Sequence, residues 1–478
     1  MCSPRQSSWG SVSRPPGSPQ PRAVSWWQVT AAASLAYFLL GYNTTAVNVS
    51  IDDVSWGLAL SEFQVSWFMS GYVLAVGMFT IAAGRIADTL GHPRVWVAGM
   101  LAFGASALAT GLALDGWWAV VTRFLMGMSV ALVAPAAVAI VSHSVAPERR
   151  GRALGLWAGI STFGLALGPV FGGLITEYLG WRWVFLVNVP LVLAGVGIML
   201  RVRPGFETRA ATRWDWPGFL LVAATPALLV AGFNQAVTGW LSAPVLILLF
   251  LGLLSAVLTA VVEWRTSAPL LDPRIFRIRS FSGGVTTGSF LYFVRIGLMF
   301  FLSLYMLQAL GLSPVESGLL LLVWTGTTTL LSPLVGRLHE RLAPGTLIYA
   351  GFLVLIAAVV LLLLTIDPAD SWVTLLLPLA LIGAGIALVY APANAVAMSA
   401  MPDQEQALAG GMLSTFRQLG AAFGVAVLSS IFYGQRAANI DAGAVIAWQS
   451  GMRAVMLGCV VVLVLGLITA LLQLRRPT

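Results

Sequence analysis

Gly84-Arg85-Ile86-Ala87-Asp88-Thr89-Leu90-Gly91-His92-Pro93-Arg94 is a short polar interruption between two long apolar runs. A link this tight joins two helices that leave and re-enter the same side of a membrane. Gly84 allows close approach of helix backbones. Asp88 is an acid at a helix end, within reach of the dipole of the next helix N-terminus. Gly91 is the residue type that closes a helix in a left-handed conformation, and Pro93 keeps that helix from continuing.

A second copy, Gly336-Arg337-Leu338-His339-Glu340-Arg341-Leu342-Ala343-Pro344, follows 252 residues later, with a one-residue slip at the proline. Composition fixes the class. The chain is 58% hydrophobic and 9% charged with a mean hydropathy of +0.89, which describes a polytopic membrane protein rather than a soluble domain. All 26 basic residues are Arg, and the two cysteines, Cys2 and Cys459, imply no disulfide framework. A pI near 10.1 does not indicate nucleic acid, because the arginines lie in loops between apolar segments, where they act as topology signals.

Residues 1–25, rich in Ser, Pro and Arg, read as a disordered cytoplasmic tail with no cleavable signal peptide. Apolar runs long enough to cross about 30 Å of hydrocarbon begin near residues 26, 65, 95, 117, 152, 183, 216, 243, 281, 316, 346, 372, 407 and 452, making fourteen spans. The first of them covers 26–50. Counted over alternate loops, one side carries twenty arginines and the other three, Arg182, Arg436 and Arg453. The positive-inside rule then places both termini in the cytoplasm of a bacterial inner membrane. Ala134-Pro135 recurs as Ala391-Pro392, offset by 257, and Pro147-Glu148 recurs as Pro402-Asp403, offset by 255. The chain therefore divides into a six-helix half at 26–200, a two-helix insert with its loops at 201–280, and a second six-helix half at 281–478. Transporters built from repeated halves bind substrate at mid-membrane and rock to alternate access.

These residues resemble the fourteen-helix drug:proton antiporter branch of the major facilitator superfamily. Gly84, Asp88, Gly91 and Arg94 match its cytoplasmic gating loop, while Thr89, His92 and Pro93 depart from it. Arg123 and Gly127 are similar to its fourth-helix motif. Gly159, Gly164, Gly168, Pro169, Gly172 and Gly173 resemble its antiporter motif, and Trp181-Arg182-Trp183-Val184-Phe185-Leu186-Val187-Asn188-Val189-Pro190 resembles the run entering its sixth helix. The resemblance implies an all-α major facilitator fold and export of a small, mostly hydrophobic compound against inward proton flow. Independently of it, glycines at 164, 168 and 172 leave one helix face nearly bare, suited to a close, dry seam against another helix.

Three arginines, Arg123, Arg295 and Arg417, lie deep within spans, where each costs about 2.5–3.5 kcal/mol on insertion scales and must face a cavity or a partner. None of the eighteen Asp and Glu residues lies near the middle of a span. Where the branch carries an acid in its first helix, this chain has Asn43, which cannot titrate. Proton coupling then falls to Asp52, Asp53 or Glu177 near the outer ends, to Asp88 in the loop, or to the substrate's own titration. Candidates for substrate contact or coupling are Arg123, Asn43, Asn48, Arg295, Arg417, Gln308 and Asn394, with Tyr292, Tyr305, Trp324 and Tyr390 as possible lining. His92, His143 and His339 are dispersed and give no metal-ligand spacing. No Walker loop and no nucleophile–base pair is present, so neither a cofactor nor an enzymatic reaction is expected. A proton-driven exporter of a drug or antibiotic, acting as a monomer in the bilayer, is the leading reading. A carrier of an anionic metabolite or lipid in the same fold is second, and a non-transporting sensor third.

Overall fold

The computed structural model describes residues 26–145, 147–202, 215–266, 269–366, 371–402 and 406–474. The tail at 1–25, Asp403, and arginines 203, 209, 213, 475 and 476 lie outside these, as do the side chains of Pro147, Glu148 and His143. Among the described residues there are fifteen α-helices in fourteen segments. They are α1 (Trp26–Leu58), α2 (Glu62–Leu90), α3 (His92–Gly111), α4 (Gly116–Ser144), α5 (Pro147–Leu179), α6 (Arg182–Leu186), α7 (Asn188–Val202), α8 (Trp216–Gln235), α9 (Ala243–Arg265), α10 (Arg279–Leu304), α11 (Pro314–His339), α12 (Pro344–Thr365), α13 (Leu376–Ser399), α14 (Gln406–Ala438) and α15 (Ala444–Gln473). The sixth span is split into α6 and α7 because Pro190 offers no N–H to the Leu186 carbonyl. Among the described residues, thirteen segments are both long and apolar enough to cross a membrane. The fourteenth, α1, has the length, but Asn43, Thr44, Thr45, Asn48 and Ser50 lower its hydropathy.

Packing follows the duplication. In the first half α5 lies on α1, and α2 and α3 lie on α4; in the second, α14 lies on α10, and α11 and α12 lie on α13. The halves meet along two further matched seams, α2 on α14 and α5 on α11. Residues one repeat apart also meet each other. Ser303 Oγ donates to the Asn48 carbonyl at 2.7 Å and Gln308 Nε2 donates to Asp52 Oδ1 at 2.6 Å, with separations of 255 and 256 residues. Equivalent positions touch only where a twofold axis passes between them, so the outer parts of α1 and α10 flank that axis.

The insert straddles one seam. Asn234 of α8 accepts from Ser66 Oγ at 2.6 Å and donates to Ser70 Oγ at 3.1 Å, both on α2, while Phe233 packs edge-on against Phe423 of α14. α9 lies on the lipid side of α8 and exposes Leu246, Ile247, Phe250, Leu253 and Val257.

Candidate functional site

The hydrogen bonds that tie the halves together lie toward the end opposite the Gly84–Arg94 loop. Besides the two pairs on the axis, Glu177 Oε2 accepts from the Val315 N–H at 3.1 Å, Thr325 Oγ1 donates to the Ala166 carbonyl at 2.9 Å, and Arg436 meets Glu62 at 3.5 Å. At the loop end a Cβ built on Gly159 of α5, Gly336 of α11 or Gly411 of α14 would meet nothing within 4 Å, while Ile81 of α2 is packed in a buried cluster with Phe281, Val285, Met412 and Leu413 of the second half. The hydrogen bonds between the halves are thus gathered toward the far end.

Glycines set how closely the walls approach. A Cβ on Gly164 would come within 2.5 Å of the Phe38 carbonyl, one on Gly172 within 2.6 Å of the Ala46 carbonyl, and one on Gly168 would overlap Thr45 Oγ1, all on α1. These three glycines seat α5 against α1 inside one half. Gly173 serves a different contact: its Cβ would overlap the Pro314 carbonyl of the other half, and Gly318 stands in the same relation to the Pro169 carbonyl. The antiporter-like glycines thus divide between a seam within a half and a seam between halves. Gly420 and Gly424 of α14, pressed on the Ser289 and Phe293 carbonyls of α10, do the work of Gly164 and Gly168 in the second half. The sequence reading missed them because their spacing there is a single four-residue step.

The buried arginines separate into two environments. Arg123 is 2% exposed, donates to the Asn43 carbonyl at 2.7 Å and lies over the Tyr72 ring at 4.1 Å, with Phe68 and Phe185 beyond. It is enclosed in the first half. The side chain of Asn43 does not line the cavity either; it donates to the Leu39 carbonyl at 2.9 Å and to Asn188 Oδ1 at 2.7 Å, forming a buried amide pair. Asn48 is likewise buried and donates to the Thr44 and Thr45 carbonyls. Gln308 sits on a π-helical turn, Tyr305–Ala309, at the far mouth rather than at mid-membrane. Tyr305 and Trp324 are core residues at 3% and 1% exposure.

Arg295, Arg417 and Asn394 come together instead. Arg417 Nη1 donates to Asn394 Oδ1 at 2.6 Å and reaches the Tyr390 hydroxyl at 3.5 Å, while Arg295 Nη1 reaches the Tyr292 hydroxyl at 3.4 Å. Both guanidinium groups lie near the Tyr292 ring, at 5.3 and 5.6 Å from its centroid, and the Tyr292 and Tyr390 rings are 6.0 Å apart. Gly288 makes room for the stem of Arg417, whose Cγ would be 3.3 Å from a Cβ there. Tyr37 of α1, stacked edge-on against Trp157 at 4.4 Å, is close enough from the first half to interact electrostatically with Arg417. Arg417 is eleven residues into α14, about 16 Å deep at 1.5 Å per residue. Among the described residues no carboxylate lies within 4.0 Å of either guanidinium; the only ion pairs are Asp88–His92 and Glu62–Arg436.

In the loop, Gly91 caps α2 at φ 94°, ψ 126°, a positive-φ backbone suited to glycine, though with ψ outside the left-handed helical region. Pro93 falls in the first turn of α3, where it starts a helix rather than only stopping one. Asp88 meets His92 Nε2 at 3.3 Å, at the N-terminus of α3. Gly84 has only Pro135 at 4.0 Å beyond a built Cβ, so no unusually close approach depends on it, and Arg94 is exposed. Arg85, outside the residues singled out in the sequence, donates to the Pro269 carbonyl and fastens this loop to the insert's own loop after α9.

The sequence profile described as Major Facilitator Superfamily matches residues 33–425 and 286–478. The chain is 35% identical to the puromycin resistance protein pur8 of Streptomyces alboniger, over 88% of this chain and 84% of that one. It is 30% identical to the tetracenomycin C resistance and export protein of Streptomyces glaucescens, over 84% and 75%, and 30% identical to the multidrug resistance protein Stp of Mycobacterium tuberculosis, over 86% and 76%. Among solved structures, an auto-inhibited peptide transporter of the POT family aligns with a TM-score of 0.71 at 16% identity, covering 96% of this chain and 98% of the other. A bacterial homologue of the lysosomal transporter Spinster, inward-facing and unoccupied, aligns with a TM-score of 0.64 at 17% identity over 95% and 99%. At such identities the structural likeness concerns the fold.

Proposed function

The chain belongs to the major facilitator superfamily, and on that premise we propose that it exports small, mostly hydrophobic compounds of the drug or antibiotic class, driven by protons, across the bacterial plasma membrane. The observation that carries this reading is the mid-membrane cluster of Arg417, Tyr390, Asn394 and Tyr292, in a chain whose halves are hydrogen-bonded to each other toward the far end. The arginine-rich loops support a cytoplasmic position for the loop end, and a far end tied shut is the arrangement in which an exporter loads. Resistance and export proteins as relatives support the direction of transport. The Arg417 cluster and the bonds between the halves all lie within one chain, so a monomer suffices.

Asn43, locked to Asn188, carries no proton. The coupling acids in this reading are Asp52 and Glu177. Each accepts a hydrogen bond from the other half at the closed mouth, from Gln308 and from the Val315 N–H respectively. Opening to the outside must break both bonds. The test is drug susceptibility of cells with and without the gene, repeated with a protonophore. Protection that a protonophore abolishes supports the reading; protection unchanged by it rejects proton coupling, and no protection against any of a broad panel of antibiotics rejects export.

A further inference from the structure

The two cavity arginines lack a counter-charge that the fold could easily have supplied. A guanidinium has five N–H donors. Arg417 uses one well, on Asn394 Oδ1, and Arg295 makes one long contact at 3.4 Å to Tyr292. Arg123 is the enclosed arginine of the chain, with a carbonyl at 2.7 Å, a ring beneath it and almost no exposure, although its Nε has no hydrogen-bond partner among the described residues. Arg417, by contrast, is partly exposed, with Arg295 buried beside it at 6% exposure. Two like charges beside one tyrosine ring repel each other, and no described carboxylate within 4.0 Å relieves them. An arginine fork matches the two oxygens of a carboxylate, and the Tyr292 and Tyr390 hydroxyls add two more donors at the same place.

We propose that this cluster is an anion site: the exported compound carries a carboxylate that sits between Arg295 and Arg417, with its flat hydrophobic body against Tyr292, Tyr390 and, across the cavity, Tyr37. The aromatic walls fit a conjugated or aromatic acid, and they do not supply the acid that a lipophilic cation would seek. Asn394 is a positioning residue that aims Arg417. This assignment rests on the export reading for its direction of transport but not for its ligand chemistry.

The test uses two dyes on one xanthene frame, the anion fluorescein and the cation rhodamine 123, with the full-length protein in nanodiscs. Fluorescence anisotropy is expected to show at least tenfold tighter binding of fluorescein. Arg417→Gln and Arg295→Gln are each expected to weaken fluorescein binding tenfold or more while leaving rhodamine binding unchanged or stronger. Arg417→Lys keeps the charge but loses the fork, and should fall between. Thermal unfolding of each variant shows that it is folded; should Arg295→Gln fail to fold, Asn394→Ala, which leaves both arginines in place, is expected to weaken fluorescein binding alone. Absence of fluorescein binding, preference for rhodamine, or fluorescein binding untouched in folded Arg417→Gln overturns the anion site. Energised uptake into inside-out vesicles is read separately. Fluorescein bound but not moved rejects export and keeps the site, whereas rhodamine moved with fluorescein unbound keeps export and rejects the site.

Discussion

Gly173→Ala should unlatch the far mouth without unfolding either half. The added Cβ would overlap the Pro314 carbonyl oxygen, with the Pro314 carbonyl carbon at 2.8 Å and Val315 Cα at 3.0 Å. Those are backbone atoms at the first turn of α11, so no side chain can rotate away. Forcing a methyl group into such a contact costs about 1–3 kcal/mol, and the same residues hold the Glu177–Val315 bond that would be strained with it. The clash exists only while the mouth is closed, so the cost falls on that state alone. A coupling energy of about 1–3 kcal/mol changes an equilibrium roughly 5- to 150-fold. Gly168→Ala is the control. Its Cβ overlaps Thr45 Oγ1 within the first half, so it should lower folded yield in both states equally. The readout is labelling of a cysteine at Ser303, which is fully buried beneath the closed mouth, by an impermeant maleimide added outside, with Cys2 and Cys459 replaced by Ala. Labelling should accelerate at least fivefold in Gly173→Ala and stay unchanged in the Gly168→Ala protein that does fold. Equal rates in Gly173→Ala and its parent would refute the argument that this glycine serves the gate.

Two further substitutions probe the first half. Restoring an acid with Asn43→Asp removes the donor to Leu39 O and Asn188 Oδ1 and leaves acceptors facing one another at 2.9 and 2.7 Å; at about 1–3 kcal/mol for each stranded group, the melting temperature in detergent should drop by several degrees, and an unchanged value would contradict the amide-pair reading. Asp52→Ala removes the acceptor of Gln308 Nε2 at the closed mouth; at about 0.5–1.5 kcal/mol for the lost bond, labelling at Ser303→Cys should accelerate a few-fold, and an unchanged rate would reject Asp52 as part of the latch.

The fold was legible because its signals are covalent and periodic: apolar runs of membrane length, loop arginines, and a loop repeated at a near-constant offset. That offset even encodes contact, since Asn48 and Ser303 pair across the axis. The site was only half legible. Arg295, Arg417 and Asn394 could be named because a charge or amide in mid-membrane needs a reason. Their meeting could not be read, because it depends on the rotation of three helices about their own axes, and none of these apolar segments has a marked polar face. The same blindness misplaced Asn43 and Asn48 in the cavity. Asn188 was visible in the sequence, but nothing in a 145-residue separation marks it as the partner of Asn43.

The two halves share a skeleton but not a charge pattern, and the difference bears on how the cavity works. Displaced by one repeat of 255 residues, Tyr292 falls on Tyr37, whereas Arg295 falls on Leu40 and Arg417 on Thr162. The tyrosines therefore occupy equivalent positions in the two halves, while both Arg295 and Arg417 belong to the second half alone. The first half spends its own arginine internally, on the Asn43 carbonyl and the Tyr72 ring. A ligand held by charge on one wall and by aromatic contact alone on the other stays with the second half when the halves rock. The weaker, non-directional contact at Tyr37 can then break and re-form without stripping the ligand of its strongest bonds, which lets a substrate be carried between the two faces without meeting a deep intermediate well.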